Sequence, residues 1–215
     1  MEAAMKIDFV SDVSCPWCLI GLKSLETALQ RLGDEVPVEL HFQPFELNPA
    51  MPAQGQDIGE HIAQKYGATP EQTARTREMI RARGAELGFE FRMDKRDRIY
   101  NTFDAHRLLH WAGLEGRQLA LKHALFKAYF TDGESPGDHA VLARVAGEVG
   151  LDPVRARQIL EGDEYAREVR ELEEYYLDQG IHAVPSVIVD GRHLIQGGQP
   201  PEVFEQALRK LAAAA

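Results

Sequence analysis

Cys15 and Cys18 are the only cysteines in the chain of 215 residues, and Pro16 and Trp17 separate them. They follow directly on residues 6–10, whose apolar alternation is typical of a short strand, at the point where a helical pattern begins. A lone pair of cysteines at such a strand-to-helix junction is typical of a redox centre. We therefore expect the pair to alternate between dithiol and disulfide.

The position of Pro16 predicts different roles for the two thiols. Proline favours the first position of a helix, which would make Cys15 the N-cap residue. Unpaired backbone N–H groups and the positive end of the helix dipole favour a thiolate there, so we expect Cys15 to be the nucleophile. Cys18 lies three residues further on the same helix face, within the reach of a disulfide. We expect Cys18 to resolve the mixed disulfide that Cys15 forms.

The elements that must position this pair begin with a β-α-β unit. Leucines recur at helical spacing between Pro16 and Leu32, and Gly33 ends the pattern, after which residues 36–43 alternate as a second strand. Helical patterns then dominate the middle of the chain, where Thr69 and Gln72 predict a capping box. The predicted helices are residues 57–66, 70–87, 101–112, 117–130, 138–149, 153–160 and 163–179.

Strand patterns return only near the end of the chain. Residues 183–189 are rich in β-branched side chains, Asp190 and Gly191 predict a tight turn, and residues 192–196 return antiparallel before a last helix at 202–211. Pro185 lies inside this strand, where it removes a hydrogen-bond donor from the ladder. From the residues alone it requires either an edge position or an unusual backbone, and we favour the edge position.

Composition and charge exclude several classes of function. The net charge of −10 opposes a phosphate backbone, so we expect no nucleic-acid partner. No stretch approaches the roughly 18 apolar residues of a membrane span, so we expect no membrane partner. The first residues form neither a basic nor an apolar signal region, from which we expect a cytoplasmic protein. A dithiol that meets a reducing glutathione pool is expected to cycle rather than to form a permanent disulfide.

Taken together, these features resemble the DsbA family of thioredoxin-fold oxidoreductases, and in particular its FrnE-like branch. The resemblance rests on residues 11–21, 101–107, 125–130, 183–185 and 197–200. It implies an α/β class, with a thioredoxin fold that carries a large all-helical insertion. The implied domains are a discontinuous thioredoxin-like domain of residues 1–51 and 180–215, and a helical insertion domain of residues 52–179.

The resemblance also implies roles for residues near the dithiol. The Val184–Pro185 bond is expected to be cis and to face the cysteines, so that Pro185 takes part in catalysis and Val184 contacts the substrate. Trp17 occupies the position where strongly oxidising periplasmic relatives carry a histidine. We expect either a less depressed thiol pKa at Cys15 for that reason, or an aromatic lip at Trp17 that contacts peptide-like substrates.

Other candidate residues have two interpretations each. In glutathione-using relatives the turn that matches Gly198 and Gln199 contacts the γ-glutamyl end, although a plain left-handed turn explains the glycines equally well. His106 is expected either to line the cleft as a substrate-binding residue or to form a hydrogen bond within the core. Asp12 either accepts a proton from Cys18 or ends the first strand by bonding nearby backbone, and we favour the second role.

The predicted function is that of a thiol-disulfide oxidoreductase or disulfide isomerase. Its expected partners are proteins or peptides that contain thiols or disulfides, and glutathione. No bound cofactor is expected, and glutathione is a possible co-substrate. The alternative is a glutathione-dependent isomerase or transferase of the 2-hydroxychromene-2-carboxylate isomerase or kappa class, although these relatives typically have a serine centre in place of the dithiol. A third hypothesis is a non-enzymatic zinc module in which His106 and His110 complete a Cys2His2 set, although the spacing is far from that of a zinc finger.

Overall fold

The computed structural model describes residues 4–214. Residues 1–3, on which the prediction of no secretory signal partly rests, and Ala215 of the predicted thioredoxin-like domain lie outside the described residues. The strands are β1 (Met5–Ser11), β2 (Val38–Pro44), β3 (Gln56–Asp57), β4 (Arg98–Ile99), β5 (Ser186–Val189) and β6 (His193–Gln196). The helices are α1 (Pro16–Leu32), α2 (Ile58–Tyr66), α3 (Pro70–Glu86), α4 (Phe103–Leu114), α5 (Gln118–Lys127), α6 (His139–Glu148), α7 (Pro153–Glu161), α8 (Ala166–Asp178) and α9 (Pro201–Ala212).

Four strands form one mixed sheet in the order β2-β1-β5-β6. Strand β1 runs parallel to β2 and antiparallel to β5, so it lies in the interior of the sheet. Its side chains alternate between two apolar surroundings: Ile7 and Phe9 join the core formed with α1 and α9, whereas Val10 packs against Tyr176 of α8. Helices therefore cover both faces of the sheet, which confirms the predicted α/β class. The chain leaves the centre of this sheet directly before Cys15.

Two strands begin later in the chain than predicted, because a proline precedes each of them. Strand β2 begins at Val38 rather than at residue 36, directly after Pro37, and β5 begins at Ser186 rather than at residue 183, directly after Pro185. Proline has no backbone N–H, so the regular ladder starts with the residue that follows it. Pro185 therefore precedes the ladder, and because β5 lies between β1 and β6 the edge position favoured from the residues is wrong. The capping box of Thr69 and Gln72 is present as predicted at the start of α3.

The prediction that residues 52–179 contain no strand is wrong. Strands β3 and β4 pair Gln56 with Ile99 and Asp57 with Arg98. Two residues are too few to show an alternating pattern, so tertiary contact between distant segments determines this ladder. The predicted helix of residues 117–130 also changes form, because α5 gives way to a π-helical turn at Ala128–Asp132.

The segment between β2 and β5 carries α2 to α8, in agreement with a helical insertion. Helices α4 to α7 enclose their own apolar core, which also includes Val13 from the loop before the dithiol. Phe126 and Phe130, in contrast, belong to the core beneath the sheet and α1. The inserted helices are thus packed directly against the elements that carry the cysteines, and the boundaries of the two domains stay a prediction.

Candidate active site

Cys15 is the N-cap residue of α1, as the position of Pro16 predicts. Its backbone is extended, and its carbonyl oxygen accepts hydrogen bonds from the N–H groups of Cys18 at 3.1 Å and Leu19 at 3.4 Å. A hydrogen bond from the Cys18 thiol has the largest effect on Cys15, and the N–H groups of Cys18 and Trp17 add to it. These donors outweigh burial and the charge of Asp12, so the pKa of the Cys15 thiol lies below its ordinary value.

Cys18 has the opposite electrostatic surroundings. It is fully buried, and both cysteines are free thiols. Burial has the largest effect and raises the pKa of Cys18 well above its ordinary value, and the neighbouring Cys15 raises it further. Cys15 is thus the more acidic of the two thiols. The thiol of lower pKa is the better attacking group near neutral pH, because the thiolate is the nucleophile.

The loop before β5 forms the opposite wall of the site. The Val184–Pro185 bond is cis, as the resemblance implied, and the Val184 carbonyl oxygen lies 3.9 Å from the Cys15 Sγ. Gly21 in the second turn of α1 permits this close approach. A β-carbon at Gly21 would lie 3.0 Å from the Pro185 ring and 3.4 Å from the Cα of Gly198. A side chain at position 21 would therefore displace the loop that contains Pro185 and the turn that contains Gly198 from α1.

The turn at Gly198 and Gln199 supports this wall and does not line the cleft in front of Cys15. The N–H of Gly197 donates to the carbonyl oxygen of Pro185 at 2.8 Å, and a β-carbon at Gly198 would lie 3.1 Å from the carbonyl oxygen of Trp17. The side-chain amide of Gln199 donates back to the carbonyl oxygen of Gln196 at 2.8 Å. The turn thus contacts the dithiol helix through backbone atoms.

A cleft of about 390 Å³ opens in front of Cys15. Trp17 and Val184 lie along it, as predicted for substrate-binding residues, and helices α2 and α3 form the facing wall with Tyr66 and Arg77 among others. Arg96 completes the cleft, and its guanidinium donates to the carbonyl oxygen of Ser14 at 3.2 Å. Its guanidinium also lies 5.0 Å from the rings of Tyr129 and Phe130, which fixes its position. The cleft therefore combines an apolar lip with two cationic side chains.

Asp12 is buried at the base of the loop that carries the cysteines. Its carboxylate accepts hydrogen bonds from the Leu47 N–H at 2.8 Å and the Ser14 hydroxyl at 3.1 Å, and it lies 3.4 Å from the imidazole of His106. Burial opposes ionisation of Asp12, but the hydrogen bond and charge of His106, with the Leu47 and Thr102 donors, outweigh it and lower the pKa. The backbone-bonding role favoured for Asp12 agrees with these contacts.

His106 does not line the cleft. It is buried in α4, and its Nε2 lies 3.0 Å from the carbonyl oxygen of Phe45 in addition to its contact with Asp12. The second of the two interpretations, a hydrogen-bonded core histidine, describes this placement. The predicted direct contact of His106 with substrate finds no support in the geometry, because Asp12 lies between its ring and the cysteine loop.

Three cationic residues are absent from the set predicted from the sequence: Arg77 and Arg96, which line the cleft, and Lys122, which is buried in α5. For two of them, the spacing from a buried apolar residue on the same helix is a sequence pattern that could have identified them. Arg77 lies three residues before the buried Ile80, and Lys122 lies four residues before the buried Phe126, so each shares a helix face with an apolar anchor. Arg96 lies outside the helices and strands, and no periodic pattern identifies it.

The zinc set considered from the sequence does not assemble in the structure. Within residues 4–214 no group of three or more histidine, cysteine, aspartate or glutamate side chains is placed to hold a metal ion. No helix in that part of the chain has both the length and the apolarity needed to cross a membrane.

Comparison with solved structures identifies similar folds. A probable DsbA oxidoreductase from Streptomyces coelicolor is 35% identical, with a TM-score of 0.91 over 98% of this chain and 90% of the other. A 2-hydroxychromene-2-carboxylate isomerase is 14% identical, with a TM-score of 0.72 over 97% of each chain. The cytosolic disulfide reductase DsbM from Pseudomonas aeruginosa, solved with glutathione, is 17% identical, with a TM-score of 0.66 over 97% of this chain and 99% of the other. At these lower identities the likeness shows the fold alone.

Comparison by sequence leads to the same family. The protein YwbO of Bacillus subtilis is 29% identical over 203 residues, which is 94% of each chain. The sequence profile of the DSBA-like thioredoxin domain matches residues 6–209, nearly the whole chain. With its Cys15–Cys18 pair at the start of α1 and its inserted helices, this chain belongs to the DsbA-like thioredoxin family.

Proposed function

We propose that this protein is a thiol-disulfide oxidoreductase or disulfide isomerase whose redox centre is Cys15-Pro16-Trp17-Cys18. The observation that carries the proposal is the contrast between the two thiols. Cys15 lies at the helix N-terminus beside an open cleft with a lowered pKa, whereas Cys18 is buried beneath it with a raised one. Within the family, the motifs around the dithiol and around Asn101 lead us to assign the chain to the FrnE-like branch.

The proposed cycle begins with the Cys15 thiolate. It attacks one sulfur of a substrate disulfide, the substrate S–S bond breaks, and the second substrate sulfur leaves as a thiolate. Cys18 then gives up its proton and attacks the Cys15 Sγ in the mixed disulfide, which releases the substrate sulfur that Cys15 had bound, as a thiolate, and leaves the Cys15–Cys18 disulfide. The substrate gains two electrons and the enzyme loses two. In the opposite direction, a substrate dithiol reduces the enzyme disulfide by the same steps.

The cleft favours a small or extended substrate. Its volume of about 390 Å³ suits a tripeptide thiol or a single extended peptide segment rather than a folded surface. Pro185 and Val184 would hold the substrate backbone opposite Cys15, and Trp17 would cover its apolar part. Arg77 and Arg96 would pair with carboxylates, which glutathione carries at both ends.

The same two arginines favour a second candidate function, that of a glutathione-dependent isomerase or transferase. A cationic cleft of tripeptide size would suit an enzyme that binds glutathione and uses its thiol directly. In that case Cys18 would be dispensable for turnover. In the first function it is required, so the Cys18→Ser variant separates the two candidates.

We place the reaction in the cytoplasm and in the reducing direction. There the glutathione pool would keep Cys15 and Cys18 mostly reduced, and the Cys15 thiolate would be available for attack on substrate disulfides. Glutathione or a dithiol reductase would then return the electrons. A measured potential well above that of the glutathione pool would contradict this direction.

The test is a redox titration read by tryptophan fluorescence. The purified protein is equilibrated anaerobically across graded reduced and oxidised glutathione, and Trp17 reports because it adjoins both sulfurs. The second tryptophan, Trp111, is buried in the helical core and supplies a constant background, which a Trp17→Phe variant measures. We expect a two-electron transition that is absent in Cys15→Ser, between about −270 and −120 mV for a working redox dithiol and near the lower end of that range for the reducing direction. Saturable glutathione binding without any transition would instead favour the second candidate.

A further inference from the structure

Arg96 is a positively charged residue beside the dithiol loop that no acidic side chain among the described residues neutralises. It lies between α3 and β4, and its guanidinium donates to the carbonyl oxygen of Ser14, directly before Cys15, at 3.2 Å. Its Nε is buried and has no acceptor in the part of the chain that the structure describes. Its neighbour Arg92, by contrast, pairs with Asp94 at 2.8 Å. Since a half-buried guanidinium normally binds a carboxylate, Arg96 retains a charge with which a ligand can pair.

Two aromatic rings fix the position of the Arg96 guanidinium. Its Cζ lies 5.0 Å from the ring centres of both Tyr129 and Phe130, which are buried members of the core beneath the sheet. The Tyr129 hydroxyl in turn donates to the carbonyl oxygen of Arg98 at 2.9 Å. A cation held against aromatic faces loses little freedom when it binds an anion. Arg96 lines the cleft and is therefore preorganised for a carboxylate that enters it.

A second cation lines the same cleft from α3. The described residues offer the guanidinium of Arg77 neither an ion pair nor a hydrogen bond. Arg81, one turn further along the helix, instead binds Glu78 through two hydrogen bonds of 2.6 and 2.9 Å. The whole chain carries a net charge of −10, so acidic side chains are more abundant than basic ones. Two arginines without acidic partners on the walls of one cleft therefore make it complementary to an acidic ligand.

The space in front of Cys15 does not end at Arg77. A groove of about 530 Å³ lies between α2 and α3, and we call it the α2–α3 groove. Ala68, Thr73 and Arg77 line both this groove and the cleft of about 390 Å³, so only these side chains separate the two spaces. The groove stays open because each of the two helices buries only two of its residues. A ligand longer than the cleft can therefore continue past Arg77 into the groove.

We propose that the substrate of Cys15 is an extended, acidic polypeptide segment. Arg96 binds a carboxylate beside the reacting sulfur, and the segment continues past Arg77 into the α2–α3 groove. The assignment rests on the thiol-disulfide function proposed above and names its substrate class. Both arginines are specificity-determining residues, because they contact the substrate and take no part in the transfer of electrons. A guanidinium that pairs with a carboxylate through two N–H groups also fixes the direction of the peptide.

Glutathione matches these two spaces less well than a longer peptide does. It is a tripeptide, which the cleft alone can hold, so the α2–α3 groove would stay empty beside it. A disulfide in an extended segment presents flanking residues to both spaces at once. Recognition of an extended chain by a groove with charged walls combines shape with the position of the charges. The two substrate classes therefore differ in how the rate depends on length.

The first measurement compares three small disulfides that differ in charge. Dithiodipropionate carries two carboxylates, bis(2-hydroxyethyl) disulfide is neutral, and cystamine carries two ammonium groups. The reduced protein reacts with each, Trp17 fluorescence gives the rate constant, and each value is divided by that of 2-mercaptoethanol with the same disulfide. The division removes the intrinsic reactivity of the disulfide, and a comparison within one protein removes the pKa of Cys15. We expect wild type to prefer the carboxylate over the neutral disulfide by about 3- to 30-fold, with cystamine slowest.

Removal of Arg96 should abolish most of this preference. For Arg96→Met we expect the ratio of the carboxylate to the neutral rate to fall to within about twofold of one, because the nearest unpaired cation is lost. Arg92→Met is the matched control, since it removes the same charge from the same segment at an exposed pair with Asp94. It should keep the wild-type ratio.

Peptide length tests the path past Arg77. The substrates are the disulfide-linked dimers of a tripeptide and of a peptide of about nine residues, each with glutamate next to its cysteine. We expect wild type to react with the longer peptide about 3- to 10-fold faster, after the same division, and Arg77→Met to lose this gain. Arg83→Met is the control, because it removes a charge from the same helix at a pair with Glu86, outside both spaces.

Several outcomes overturn the proposal. Equal rates for the carboxylate and neutral disulfides in wild type, or an unchanged ratio in Arg96→Met, would exclude an acidic substrate read by Arg96. A longer peptide that reacts no faster than the tripeptide would exclude the path past Arg77. If Arg96→Met does not fold, wild type decides alone, because a preference that depends on ion pairs must fall between about 20 and about 500 mM salt. Wild type that reacts with none of the disulfides would instead refute the dithiol function itself, so the two failures are distinguishable.

Discussion

Replacement of Asp12 by asparagine should make the protein less stable and Cys15 more reactive. The Asp12 carboxylate connects the loop before the dithiol, through Ser14, to the segment after β2, through Leu47, and to His106 in α4. Its negative charge also opposes ionisation of the nearby Cys15 thiol. Asparagine keeps the size and one acceptor oxygen but removes the charge. The weaker hydrogen bonds should lower the stability, and the loss of the negative charge should make Cys15 easier to ionise.

The expected loss of stability follows from the hydrogen bonds. Bonds to charged groups contribute about 1.5–3 kcal/mol each, and the asparagine side chain would keep one neutral acceptor while its amide faces groups that are themselves donors. We expect a decrease of about 2–4 kcal/mol in the free energy of unfolding at neutral pH. Because the folded-state pKa of Asp12 is lowered, this contribution is present above its ordinary pKa of 3.8 and is lost as the pH falls below that value. The difference between wild type and variant should therefore shrink in acid.

The expected gain in reactivity follows from the charge of Asp12. A negative charge near an acid raises the pKa of that acid. The charge of Asp12 raises the Cys15 pKa, but its effect is smaller than those of the Cys18 hydrogen bond and of burial. We expect its removal to lower the Cys15 pKa by about one unit at most, which corresponds to about 30 mV in a two-electron couple. The variant should be the stronger oxidant, because its reduced thiolate form is more stable.

Three measurements test this prediction. Urea unfolding at several pH values gives the stability difference, the pH dependence of alkylation of Cys15 gives its pKa, and equilibration with glutathione gives the potential. Asp94→Asn is the control, since it makes the same change in net charge at an exposed pair with Arg92. A Cys15 pKa that rises or stays constant in Asp12→Asn would refute the electrostatic argument, whether or not the free energy of unfolding changes.

The remaining predictions concern the dithiol, the loop packing and the helical core. Cys18→Ser should accumulate a stable mixed disulfide between Cys15 and glutathione, which mass spectrometry detects as a single adduct. Gly21→Ala should slow thiol exchange and lower the melting temperature, because its β-carbon would meet the proline ring at 3.0 Å, whereas Gly147→Ala, with ordinary contacts of 3.5 Å, should not lower it. Arg107→Met should cost about 3–5 kcal/mol of unfolding free energy in a denaturant titration, since the buried guanidinium donates to backbone carbonyl groups after α7.

Each of these predictions has an outcome that contradicts it. Complete release of bound glutathione from Cys18→Ser would show that Cys18 does not resolve the intermediate. Equal melting temperatures for Gly21→Ala and Gly147→Ala would show that the loops around Pro185 and Gly198 can move to accept a β-carbon without a loss of stability. For the arginine, Arg167→Met removes the same charge at an exposed site in α8, and an equal loss of stability in both variants would contradict the role of burial.

The sequence alone determined the parts of the site that depend on local order. A proline directly after Cys15 predicts its N-cap position, and that position predicts which thiol ionises, because the N–H groups that favour a thiolate belong to the next few residues. The hairpin around Asp190 and most helices also follow from short-range patterns, since turn residues and apolar periodicity act over a few positions. The separate roles proposed for Cys15 and Cys18 therefore follow from residue order along the chain.

The tertiary structure decided what lies around that pair. The placement of His106 beneath Asp12, the pairing of β3 with β4 and the two arginines of the cleft all join residues far apart in the chain, and no local pattern encodes such distances. The contact between Gly21 and Pro185 likewise depends on how the sheet brings the last strands beside α1. The clearest case is Lys122, because its spacing from Phe126 does not by itself predict a fully buried amine. It becomes a buried amine because α5 packs its Phe126 face into the core beneath the sheet, and only the packing of distant elements determines which groups lose contact with water.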